Sequence, residues 1–428
     1  MKLSGKRPVR ALILVLVLLL MLSFPVSASS VPSVLPKEPD STKTLKVLFV
    51  DNSFSVDTSR YLYQIAKDAG YRLKIGDAWI GGLHLSEMYT YSSCDLSKFT
   101  YMENTNGSWK TLKASGSSLW RLRDVLKRAK WDVIIINQYS ADAGNMGSFY
   151  SNNSVKGDSF LSMMAGYIHK RCPRASLGYN MTWAFPKNSA AANFSTIYGG
   201  SQKQMFRMIC DTTQVLLEGI REEEDLESFY GSRTPSLQAV SRGTELIDFM
   251  IPSGTAIQNA RSSYMGDTLN RDHKHLSLNY GRYIASLCAA ASLGIPIEDI
   301  SKPHMEQAAS SLTMSVMRKS VLSALEDPYE VTGQKKTAPV MTDPRVSLRV
   351  TSKGYVKASW PVVRGASGYR VVYKKGGSKA VYTRTLPAGE RSLVFKGKEG
   401  KNTVTVYALG DTYIKGSAGV TETVRIRN

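Results

Sequence analysis

The run Val133-Ile-Ile-Ile136 has no polar face. Such a strand is stable only where both of its faces are covered, the setting of a parallel sheet between layers of helices. Leu45-Lys-Val-Leu-Phe-Val50 is a second run of the same kind, and Asp57 caps the helical pattern that follows through Tyr61, Leu62, Ile65 and Ala66 to Gly70. The alternation continues with strands at 71–75, 175–181 and 249–252. Helices are expected at 118–129, 159–171, 202–217, 256–261, 278–293 and 303–325. Strands and helices in this order predict an α/β domain over 45–326, a parallel-sheet, three-layer α/β/α arrangement that presents reactive groups at the carboxyl edge of its sheet.

The texture changes after Asp327. Residues 327–342 are polar and turn-rich and read as a linker. From 343 to 428 the apolar pattern has period two, with strands at 346–350, 355–360, 368–373, 380–385, 392–395, 402–408 and 420–425. Seven short strands in so few residues predict an all-β sandwich.

At the N-terminus, Lys2, Lys6, Arg7 and Arg10 precede an apolar run from Ala11 to Leu22, and Val26-Ser27-Ala28 offers small residues for cleavage. Residues 1–28 therefore read as a secretory signal, and 29–44, rich in Pro, Ser and Lys, as a tether. The expected location is secreted or cell-surface, with no membrane span once the signal is removed. The formal net charge is +20, and residues 338–428 hold 17 Lys+Arg against 5 Asp+Glu. A surplus placed there suits an anionic cell-wall polymer, and its dispersal over strands argues against nucleic acid. Composition, 43% hydrophobic and 21% charged, excludes a disordered or multi-span chain. Cys94, Cys172, Cys210 and Cys288 are too widely spaced for a disulfide scaffold, and no CxxC or HExxH pattern occurs, so neither a metal nor another cofactor is expected.

Chemistry is expected where Asp51-Asn52-Ser53-Phe54-Ser55 leaves the first strand. A Ser in a strand-to-helix turn exposes its hydroxyl above the sheet, near backbone N–H groups that can face an oxyanion; the same residue type also caps helices. Late in the domain, Arg271-Asp272-His273-Lys274-His275-Leu276-Ser277 places a carboxylate three residues before an imidazole. The carboxylate can fix one tautomer and leave Nε2 free to accept a proton. His273 adjoins Asp272 and should point elsewhere, so His275 is the favoured base, with Ser277 capping the helix from Leu278.

Asn-Ser after the first strand and Asp-x-x-His before a late helix resemble the SGNH hydrolase (GDSL esterase/lipase) superfamily, in particular a group of bacterial secreted SGNH-like proteins. The likeness extends to Trp79-Ile-Gly-Gly82, Trp131-Asp-Val-Ile-Ile-Ile-Asn137-Gln138, Thr182-Trp183-Ala184 and Ile251-Pro-Ser-Gly-Thr-Ala256, and it covers about residues 45–295. It implies Ser53 as nucleophile, His275 as base and Asp272 as its orienting carboxylate. The implied oxyanion donors are the N–H groups of Ser53 and Gly82 with a side-chain amide from Asn137 or Gln138. Asp51 stands where the family has Gly, and Asn137-Gln138-Tyr139-Ser140 replaces its Gly-x-Asn-Asp block. The C-terminal segment resembles a fibronectin type III domain through Val356-Lys-Ala-Ser-Trp360 and Gly365-Ala-Ser-Gly-Tyr369, which makes Trp360 and Tyr369 core residues. The expected activity is a secreted esterase that removes O-acyl groups, acetyl first among them, from a carbohydrate, with Trp79, Tyr139 and Trp183 as flat faces for sugar rings. The alternative is a non-catalytic glycan-binding or adhesion protein, which Asp51 favours by repelling an anionic intermediate.

Overall fold

A computed structural model describes residues 31–151, 158–191, 193–219, 244–300 and 303–427. The signal segment lies outside them. Seven strands form the first sheet: β1 (Thr44–Asp51), β2 (Arg72–Trp79), β3 (Thr100–Asn104), β4 (Trp109–Leu112), β5 (Val133–Ile136), β6 (Ser176–Asn180) and β7 (Phe249–Ile251). Their order is β4-β3-β2-β1-β5-β6-β7. The five strands from β2 to β7 run parallel, as expected, while β3 and β4 add an antiparallel edge that the sequence pattern did not reveal. In β3 the polar Glu103 and Asn104 interrupt any apolar run.

Strand order fixes the layers. The connection from β1 to β2 steps one way along the sheet and that from β2 to β5 steps the other way, so right-handed crossovers place their helices on opposite faces. Helices Ser53–Ser59 and Leu62–Asp68 accordingly pack with Tyr280–Ser292, whereas Leu85–Ser93 packs with Phe160–His169. The direction reverses between β1 and β5, and at such a reversal the loops beyond the strand ends part and leave a crevice. β1 and β5 are buried at its floor, with Val47–Val50 and Val133–Ile136 almost wholly inaccessible.

Four local expectations change. The helix expected at 118–129 shrinks to Leu122–Leu126, because Trp120 pairs backbone to backbone with Phe99. Asp57 lies inside the helix Ser53–Ser59, and Asn52 caps it. Likewise Asn279 occupies the N-cap of Tyr280–Ser292, while Ser277 Oγ accepts the Gly281 N–H one turn in. The residues read as a tether are docked from 31 onward: Leu35 is buried, its N–H donates to Ser292 O, and Pro32 O accepts from Met250 N beside the edge strand β7. An edge strand left bare would offer unpaired backbone groups, and this segment covers one.

The C-terminal strands are β8 (Ser347–Val350), β9 (Tyr355–Ser359), β10 (Gly368–Lys374), β11 (Val381–Pro387), β12 (Ser392–Lys396), β13 (Gly400–Leu409) and β14 (Val420–Ile426). They form two antiparallel sheets, β11-β10-β13-β14 and β12-β9-β8, around a core that includes Val356, Trp360, Tyr369, Val371, Val404 and Val406. Trp360 and Tyr369 meet at 5.4 Å between ring centroids. The expected linker is pinned to the α/β domain: Thr332 N donates to Asn259 Oδ1 and Tyr264 N to Lys335 O. The turn after β13 also docks there, with Asp411 accepting from Ser310 N at 2.7 Å and Tyr413 Oη 2.9 Å from Thr268 Oγ1.

Candidate functional site

Ser53 begins the helix that follows β1, and its hydroxyl lies at the carboxyl edge of the sheet beside the β1/β5 crevice. The turn is built by Asn52. Its carboxamide oxygen accepts from Phe54 N at 3.0 Å, and its Nδ2 donates to Leu83 O and to Asn137 Oδ1, both at 3.1 Å. One side chain thus ties together the ends of β1 and β5 and the loop after β2.

Ser53, Asp272 and His275 come together although more than 200 residues separate the first from the other two. Ser53 Oγ is 2.8 Å from His275 Nε2, and His275 Nδ1 is 2.9 Å from Asp272 Oδ2. The other oxygen of Asp272 accepts the N–H groups of His275 at 2.7 Å and Lys274 at 2.9 Å. Partial burial alone would raise the Asp272 pKa, but those two N–H groups and the imidazole outweigh it and hold the carboxyl down at about 2. A carboxylate ionised throughout the neutral range keeps the proton on Nδ1 and leaves Nε2 as the acceptor facing Ser53. His273 turns away, its Nδ1 accepting from Ala190 N at 3.1 Å.

The loop that carries this pair is anchored by a residue read in the sequence only as a cap. Asp57, fully buried one turn after Ser53, holds Arg271 Nη1 at 2.9 Å, Arg282 Nε at 2.7 Å and the Leu276 N–H at 2.9 Å. Arg271 also donates to Leu276 O. The missed signal is the i, i+4 spacing of Ser53 and Asp57, which sets both on one helix face.

Of the expected oxyanion donors, the Ser53 N–H belongs to the first turn of its helix and has no intrahelical acceptor. Gly82 has φ +69°, a left-handed conformation, and nothing lies within 4 Å of where a Cβ would stand. The amides of Asn137 and Gln138 differ. Gln138 is committed elsewhere: its Oε1 accepts from Leu85 N and Tyr139 N, and its Nε2 donates to Ser148 Oγ at 3.1 Å. Asn137 Nδ2 is buried and faces the Asp51 carboxyl without a hydrogen bond of good geometry to it or to any other described residue.

Asp51 is fully buried beneath this edge, as is Asp77. Burial is the largest influence on both and drives the Asp77 pKa up to about 8. It raises Asp51 well above the usual carboxylate range, reinforced by Asp77 and opposed in part by the Asn52 N–H and the Asn137 amide. Burial therefore favours the protonated form of Asp51 over the charged one.

The three aromatic residues expected at a sugar subsite separate. Trp183 is wholly buried, its ring set edge-on against Phe54 at 4.8 Å and its Nε1 donating to Lys274 O at 2.8 Å. It props the His275 loop from below and offers no face to a ligand. Trp79 and Tyr139 are half-buried. Tyr139 stacks on Phe54 at 6.2 Å and meets His84 edge-on at 4.9 Å, with Lys274 Nζ 3.2 Å from its hydroxyl. His84 is in turn bound to Asp142 at 2.8 Å, and that hydrogen bond raises the His84 pKa. Sequence reading singled out neither His84, Lys274 nor Asp142, none of which stands in a short recognisable motif. Among the described residues no group of three or more His, Cys, Asp or Glu side chains is placed to hold a metal ion, and all four cysteines are free thiols.

A family model described as "Domain of unknown function (DUF4886)" matches residues 46–219 and 223–318. A crystal structure of a DUF4886 family protein from Bacteroides uniformis is similar at 26% identity and a TM-score of 0.54, over 68% of this chain and 98% of that one. Chicken CNTN1 FN1–FN3 domains match 22% of the chain at 22% identity and a TM-score of 0.17. The fn3 domain of human collagen alpha-1(XX) matches 22% at 14% identity and 0.18. Likenesses that slight add nothing to the two-sheet description. None of the curated proteins shows significant sequence similarity to the chain.

Proposed function

The chain belongs to the DUF4886 family, and from that premise we propose that it is a secreted serine esterase of SGNH type that removes O-acyl groups, acetyl in the first place, from a carbohydrate. The observation that carries the reading is the relay Ser53 Oγ–His275 Nε2–Asp272, with links of 2.8 and 2.9 Å at the carboxyl edge of a parallel sheet. His275 takes the Ser53 proton as Oγ attacks the ester carbonyl. The N–H groups of Ser53 and Gly82, with Asn137 Nδ2, hold the oxyanion, and His275 then protonates the leaving sugar hydroxyl. Water, activated by the same imidazole, releases the acid and restores Ser53.

The reading as a non-catalytic glycan binder rested on Asp51. Burial pushes that carboxyl toward its protonated form, which weakens its opposition to an oxyanion and supports the catalytic reading. Tyr139 and Trp79 remain available as partly open flat faces for a sugar, and Trp183 does not. We read the C-terminal sandwich, three strands facing four, as fibronectin type III-like, and its basic surface as suited to anionic wall material outside the cell. Among the described residues no helix is long and apolar enough to cross a membrane.

The reading is tested by hydrolysis of a small acetyl ester. Ser53→Ala and His275→Ala should each remove nearly all turnover, and the double variant should be little worse, because groups that act as a unit are not additive. Asp272→Asn should reduce kcat by roughly three to four orders of magnitude, since the imidazole loses the carboxylate that fixes its tautomer. Turnover by Ser53→Ala at the wild-type rate would refute the reading.

A further inference from the structure

On the opposite edge of the sheet, two helix-to-strand turns lie side by side. The helix Leu122–Leu126 turns into β5, the helix Phe160–His169 turns into β6, and β5 and β6 are adjacent and parallel. The turns enclose an open cavity of about 410 Å³. Its floor is apolar, formed by Leu126, Trp131 and the half-buried Cys172; its rim carries five cationic side chains, and no acidic residue lines it. The sequence carries the same bias, because residues 121–130 hold five Lys and Arg against one Asp.

Two of the five cations are engaged within the fold. Arg123 pairs with Asp95 at 2.7 Å, and Arg171 lies over the Tyr167 ring at 3.5 Å. Lys127, Lys130 and Arg174 are exposed, and among the described residues none of them pairs with a carboxylate. Cations near helix C-termini gain from the helix dipole, but that gain needs one or two charges per helix and no shared concavity. Five cations around one cavity repel one another, and a single small anion cannot meet all of them. A chain of repeated anionic groups does so, releasing counterions as it binds.

We infer that this cleft is a second binding site, at the amino edge of the sheet and remote from Ser53, for a polyanionic chain of phosphate- or carboxylate-type groups. It is separate from the basic sandwich, and it stands whether or not the chain is an esterase. A polymer held here approaches from the side of the sheet opposite to the crevice, which leaves the crevice open.

The test uses the full chain and a linear polyphosphate of several tens of units, followed by fluorescence anisotropy from 0.05 to 0.3 M salt. The cleft variant Lys127→Gln/Lys130→Gln/Arg174→Gln should bind at least tenfold more weakly at low salt, and the slope of log K against log salt should fall by about 2. A variant with the same loss of charge elsewhere on the α/β domain, Lys67→Gln/Lys113→Gln/Lys203→Gln, at exposed positions away from the cleft, should lose less than threefold. Equal losses in the two variants, or none in the cleft variant, would overturn the inference. Inorganic phosphate should compete only at millimolar levels, and binding confined to phosphatidylglycerol vesicles would also overturn it. Lys127→Arg/Lys130→Arg/Arg174→Lys keeps the charge and should retain binding, which separates loss of the site from loss of the fold.

Discussion

The carboxylate of Asp57 and the guanidinium of Arg271 meet at 2.9 Å across 214 residues of chain, and that buried contact carries the Asp272–His275 loop to the helix that begins with Ser53. Asp57 is wholly inaccessible and also holds Arg282 and a backbone N–H. One helix face therefore supplies both the hydroxyl and the mooring of the groups that act on it.

Asp57→Ala leaves two arginines without their shared carboxylate. Breaking a buried charge pair in this way costs about 3–5 kcal/mol, so thermal unfolding should shift down by several degrees. Activity per folded molecule should fall as well, because the loop loses its register. An unchanged melting temperature would show that the clamp contributes nothing.

Gly82 stands at φ +69° with open space around its Cβ position, so a substitution there is limited by backbone conformation rather than by collision. Turnover and stability should follow the order Gly > Asn > Ala > Val, with a stability cost for Ala of about 1–2 kcal/mol. Asn ranks second because its side chain tolerates the left-handed region. Equal activity in Val and Gly variants would remove this N–H from the oxyanion set.

Asp77 gives a pH dependence whose sign is fixed by its burial. Its folded pKa is about 8, against about 3.9 in an unfolded chain. The unfolded state loses the proton first, so the stability this group contributes is full below about pH 4 and is lost as pH rises to about 8. Asp51 acts in the same direction. Asp77→Asn removes the titration, so the melting temperature of the variant relative to wild type should climb between pH 5 and pH 8. A constant difference would contradict the assignment.

The strands β1, β5 and β6 and all seven strands of the sandwich were legible because their apolar patterns are local, with continuous runs for buried parallel strands and alternation for the sandwich. Ser53, Asp272 and His275 were legible for a related reason: each lies in a short block at a strand or helix end. What escaped was set by contacts between distant segments. Trp183 reads as a flat face until Phe54 and Lys274 are packed on it. Gln138 and Asn137 are adjacent amides in the sequence, and only the position of Leu85 and Ser148 shows that the first is already engaged. Pro32 and Leu35 look like spacer residues until the bare edge at β7 is seen to need covering.

The central claim, that Ser53 is an activated nucleophile, is tested most directly by a fluorophosphonate reagent and mass spectrometry of the intact and digested chain. Wild type should gain one adduct, located on Ser53, at a rate that falls with His275→Ala, and Ser53→Ala should gain none. No adduct on wild type, or an adduct on another serine at the same rate in Ser53→Ala, would contradict it.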